Sequence, residues 1–152
     1  MKRLLLLIFL ILPSFLFAEH NWASLKFGYG NETAGIGLAS EIKFDDFGLI
    51  LGIGIPDSRI GVSATTKYYF SVQEEQSFFV TLGYGMLGFM ITNLGQDLFE
   101  TSYIYGPYIM LGNSALWNKI YGDYSLGFGY SFADQKVVLA AQASLGYIFF
   151  DF

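Results

Sequence analysis

From Trp22 to the C-terminus, apolar residues alternate with small or polar ones at a period of two, interrupted at short intervals by turn chemistry. The stretch YGDYSLGFGYSF (121–132) shows it most clearly. Tyr124, Leu126, Phe128, Tyr130 and Phe132 fall on one side, and Asp123, Ser125, Gly127, Gly129 and Ser131 on the other. Successive side chains of a strand point to opposite faces, so the pattern predicts strands with one bulky apolar face and one nearly bare face. Seven segments of this kind, about 22–30, 33–44, 47–55, 60–70, 78–90, 103–112 and 121–132, precede an eighth that runs from 137 to the end.

The separators GNET, DD, PDSR, SVQEEQ, NSALWN and ADQK are turn-forming. ITNLGQDLFETS, around 91–101, is the longest connection. The sixth segment has poorly separated faces, and its Pro107 marks a weak point or bulge. Segment eight carries a conflict of parity. Val137, Leu139, Leu145, Tyr147 and Phe149 favour one register, whereas Ile148, Phe150 and Phe152 favour the other. A bulge or a frayed end reconciles them, and the sequence leaves the choice open.

Composition decides which solvent the apolar face meets. Hydrophobic residues make up 53% of the 152 and charged residues only 14%, against about 25% charged in soluble domains. In a soluble, lipocalin-like carrier the large side chains would point inward, into an eight-stranded interior just wide enough to be filled. The water-facing coat would then be glycine and serine. Inverted, the barrel presents its bulky face to lipid, closes every backbone hydrogen bond within the sheet and leaves small residues inside. The expected fold is therefore an all-β, eight-stranded antiparallel up-and-down transmembrane barrel over residues 19–152.

Residues 1–18 read as an export signal: Lys2 and Arg3, an apolar run from Leu4 to Leu12, and Ala18 before the break at Glu19. Losing those two basic residues leaves six against 13 acids, a net charge of −7. That sign argues against a nucleic-acid partner. There is no cysteine and a single histidine, His20, so thiolate and imidazole metal sites, a Cys nucleophile and a Ser–His pair have no material. No catalytic residue, cofactor or metal ligand is expected.

The export signal, the eight alternating segments, the patterns LGYGMLGF and SLGFGYSF and the aromatic terminus GYIFFDF together resemble the small eight-stranded outer-membrane proteins of the OmpX, OmpA-barrel and OmpW kind. The resemblance implies outer-membrane lipid as surroundings, recognition of the C-terminal aromatic strand by the barrel-assembly machinery, periplasmic termini, and outer connections near 31–33, 56–59, 91–101 and 133–136. Outer loops are generally long in that family, and only the third is long here, which argues against an adhesin or bulky receptor. Barrels of this shape that remodel lipopolysaccharide use a membrane-level His with Ser and an acid, which His20 cannot supply.

Two sets of inward positions remain as candidate sites. Lys26, Glu41, Lys67 and Asp123 all fall a few residues from the periplasmic end of their strands, a level at which two cations and two anions can pair; Lys43 and Lys119 fall just below. They read as a salt-bridged filling of the lumen, with a gated ion path as the alternative. The outer half is lined by Gly28, Gly37, Gly52, Gly54, Gly127 and Gly129 beside Leu87 and Phe89. There the choice is between close packing of coiled strands and a pocket for a small apolar ligand. The functions left open are a structural or small-ligand-interacting barrel, a narrow porin-like channel, and a soluble carrier.

Overall fold

The structure is a computed structural model that describes residues 21–55, 60–72, 76–95 and 98–152, with side chains described except at 71–72 and 89–103. The expected export signal, the 56–59 turn and the Phe89 side chain lie outside the described residues. Eight strands follow one another: β1 (Trp22–Gly30), β2 (Gly35–Phe44), β3 (Phe47–Ile55), β4 (Gly61–Val72), β5 (Gln76–Gly95), β6 (Leu98–Trp117), β7 (Ile120–Ser131) and β8 (Lys136–Asp151). Each pairs antiparallel with its chain neighbours, and β1 pairs with β8, closing an up-and-down barrel. Turns at 45–46 and 118–119 mark the end at which β1 begins and β8 finishes, the terminal end; 31–34, 132–135 and the β5–β6 hairpin mark the opposite, loop end. Asp45 and Asn118 open the first two turns at φ 55° and 59°, a region these short polar residues tolerate better than most.

The period of two survives as inside and outside. Leu126 and Phe128 are 59% and 61% exposed, while Asp123 and Ser125 just before them are 3% and 6%. β3 alternates exposed and buried from Phe47 to Ile55 without a break. Outward rings collect at the terminal end, with Phe47 4.9 Å from Tyr68 and Phe70 stacked 6.4 Å from Phe78. Trp22 lies apart from these rings: it shares parity with buried Ser24, and its ring lies 5.3 Å from that of inward Tyr121.

The structure corrects or completes several other expectations. The 91–101 connection is mostly strand: β5 and β6 continue as a hairpin with pairs such as Ile91↔Thr101 and Asn93↔Phe99. The ribbon runs past the last β4–β5 pair, Ala64↔Tyr84, and the last β6–β7 pair, Tyr108↔Gly129. Pro107 pairs with Tyr84 on β5 and sits just beyond the β6–β7 ladder, at a free edge where proline is tolerated. A register shift between Met86 and Gly88 bends β5; Met86, on the parity of exposed Tyr84, and Leu87 are both buried. In β8 the parity conflict ends in a bulge. Ser24 pairs with Ile148 and Ala23 with Phe150, skipping Phe149. Leu145, Tyr147, Phe149, Phe150 and Phe152 therefore all lie outside, and Ile148 turns inward at 5% exposure.

Candidate functional site

The barrel interior is filled by three kinds of group. The first is rings that the alternation places inside: Phe79, Tyr108 and Tyr121. Each stands directly across the sheet from a glycine, in the pairs Phe79↔Gly112, Gly83↔Tyr108 and Tyr121↔Gly146. A Cβ on Gly83 would sit 2.6 Å from the Tyr108 ring, so these glycines are the space the rings lie in.

The second is the ionic cluster. β1, β2, β4 and β7 bring Lys26, Glu41, Lys67 and Asp123 together at one level. The Lys26 ammonium donates to Glu41 Oε2 at 3.0 Å and to Asp123 Oδ2 at 3.3 Å. Lys67 donates to the same Asp123 oxygen at 2.5 Å and lies 3.6 Å from Glu41 Oε2. All four side chains are at most 1% exposed. The hydroxyl of Tyr69 donates to Glu41 Oε1 at 2.6 Å, and that of Tyr121 to Glu41 Oε2 at 3.3 Å. Lys67 also stands 3.9 Å over the Phe79 ring, a cation–π contact in a site without bulk water. Lys43 lies nearer the terminal end, donating to the Asp45 carbonyl, with its ammonium 5.2 Å from the Tyr69 ring. Lys119 stays half-exposed, 3.5 Å from Asp151.

A fifth member comes from a place where parity gives no guidance. Glu32 belongs to the turn between β1 and β2, and its Oε2 accepts from Lys26 at 2.6 Å. Two lysines thus face three carboxylates, a net charge of −1 with every member buried. Among the described residues no group of His, Cys, Asp or Glu is placed to hold a metal; the carboxylates converge on the Lys26 ammonium instead.

The third filling is the turn itself. Residues 31–34, which include the outer connection expected near 31–33, fold into the loop end of the barrel and are at most 3% exposed. The Asn31 side-chain amide donates to the Met86 carbonyl at 2.8 Å, and its Oδ1 accepts from Ala141 N at 2.8 Å. Glu32 N donates to Gln142 Oε1 at 3.0 Å, and Ser63 Oγ to the Glu32 carbonyl at 2.5 Å. Gly30 and Gly35, at φ 135° and 99°, turn the chain in and out again where a side chain would be strained.

This turn occupies the outer half, where the choice lay between close packing and a small apolar pocket. A Cβ on Gly54 would lie 2.7 Å from the Ala34 carbonyl oxygen, one on Gly37 2.5 Å from that of Thr33, and one on Gly52 2.9 Å from the Glu32 carbonyl carbon. The other positions also meet protein: Gly28 faces Ser144, Gly127 faces Met110, and Gly129 faces Leu87. Leu87 packs with Tyr108, Met110 and Ala140 in a small apolar layer. The glycines make room, as their size implies, but for the chain's own backbone and rings.

No protein-family model and no curated protein matches the chain at a significant level. Among solved structures it is similar to the N-terminal β-barrel domain of Pseudomonas aeruginosa OprF, with a TM-score of 0.61 and 18% identity over 86% of this chain and 100% of that one. At that identity the likeness is one of fold: the chain shares the closed eight-stranded barrel of that domain.

Proposed function

We propose that this chain is an integral outer-membrane β-barrel protein without enzymatic activity, whose lumen is closed and whose role is in envelope structure. The observation that carries the reading is the sign of the two surfaces. Leu, Ile, Val, Phe and Tyr cover the outside of strand after strand, while Lys26, Glu41, Lys67 and Asp123 are sealed within. An apolar surface encircling a whole barrel far exceeds the few hundred Å² that soluble monomers expose. It matches hydrocarbon, where a closed sheet is one of two structures able to span. A soluble carrier would need the opposite arrangement.

Closure of the lumen is supported by the ionic cluster at the terminal half and the inward turn at the loop half, and it ranks the narrow channel below the structural role. The absence of Cys and the position of the sole histidine at residue 20 support a non-enzymatic reading. Residues 1–18 would deliver the chain to the periplasm, and the aromatic C-terminal strand would be read by the barrel-assembly machinery.

The test is paired. Detergent-refolded protein is expected to migrate as a compact form on a gel unless heated, and to give negligible conductance in planar bilayers. A mature chain that stays soluble without detergent would overturn the membrane reading; steady conductance of the wild type would overturn closure and favour the channel.

A further inference from the structure

We infer that the turn at residues 31–34 is a reversible plug, latched by Glu32 on Lys26, whose outward swing uncovers a glycine-walled chamber with the Lys26 ammonium at its floor. Four observations converge on a segment with two positions. Its hinges are the positive-φ glycines Gly30 and Gly35, while Ala34 within it is held at φ 51°, a region that residues with a Cβ enter at a cost. The contacts that hold Asn31 and Glu32 in the barrel are polar: the Lys26–Glu32 ion pair and hydrogen bonds to Met86, Ala141, Gln142 and Ser63. Water can replace each of these when the turn leaves.

The wall behind it is Gly37, Gly52 and Gly54, with Ser63 and the Tyr105 hydroxyl beside them, so departure leaves a chamber whose wall is largely bare of side chains. Finally, the charge balance is met without it. Lys26 and Lys67 neutralise Glu41 and Asp123, and docking Glu32 brings in the one uncompensated negative charge. The latch is therefore opposed by Glu41 and Asp123 even as Lys26 draws it in. Such opposed terms place an element at the low-stability end of a fold, where local opening is populated.

The inference rests on the barrel's internal geometry and not on the membrane reading, so each can fail alone. The chain has no cysteine, which makes single-cysteine labelling free of background. Thr33→Cys reports the plug, and Thr81→Cys, equally buried on β5, reports the barrel wall. With refolded protein and a charged thiol reagent, Cys at 33 is expected to react measurably faster than Cys at 81. Adding Glu32→Gln, which removes the charged hydrogen bond, is expected to speed labelling at 33 by about tenfold or more and leave 81 unchanged. Should Glu32→Gln not refold, as judged by gel migration, Ser63→Ala reads the same opening through the loss of its bond to the Glu32 carbonyl. Equal inertness at 33 and 81 in every background, or equal acceleration at both, would overturn the plug.

Discussion

Replacing Lys26 with methionine is expected to cost about 3–5 kcal/mol of stability, the usual penalty for stranding buried charges by removing one partner. Its ammonium is the shared partner of Glu32, Glu41 and Asp123, at 2.6, 3.0 and 3.3 Å. Without it, three carboxylates face Lys67 alone, and the sealed charge goes from −1 to −2. The cost would be read as the shift of the urea midpoint for folding into lipid vesicles. The double variant Lys26→Met with Glu32→Gln returns the core to −1 and is expected to regain part of the loss. That recovery separates charge stranding from lost packing of the lysine stem, which the second change does not restore. A double variant no better than the single one would show that electrostatics is not what holds Lys26 there.

The second large effect concerns the outer surface. Leu126 lies midway along β7 and is 59% exposed. Leu126→Arg is expected to destabilise the lipid-embedded barrel by about 2–4 kcal/mol, the range for arginine at the bilayer midplane. Phe132→Arg, just past the end of β7, should cost no more than about 1 kcal/mol, since the penalty falls away near the interface. The gradient is the informative part. In a water-soluble barrel both changes would be neutral or favourable, because arginine would replace an exposed hydrophobe.

What the sequence made legible, and what it hid, follows from which forces act residue by residue. Alternation was legible because every second side chain faces a different environment, and one slip would put a whole strand's apolar set on the wrong side. The level shared by Lys26, Glu41, Lys67 and Asp123 was legible for the same reason: parity points them inward and short turns limit the register.

Glu32 was not, because a turn residue has no parity. Its direction depends on two positive-φ glycines and on space beside Gly52 and Gly54, which reads equally well as strand coiling. The space for the inward rings of Phe79, Tyr108 and Tyr121 was hidden because the glycines that accommodate them lie on other strands, visible only once the register is known. Phe150 and Phe152 join Phe149 outside because a bulge at Phe149 resets the inside–outside count, and Met86 is buried beside a register shift at Leu87. A bulge is fixed by pairing with the neighbouring strand and leaves no period in its own.

The orientation of the two faces underlies all of this, and one measurement addresses it directly. Spin labels at Leu126 and Ser125, adjacent residues with opposite exposure, would be compared for collision with oxygen dissolved in the bilayer. The label at 126 should be the accessible one and that at 125 shielded. Greater accessibility at 125 would mean that the polar face meets lipid, and the inside and outside assigned to this barrel would have to be exchanged.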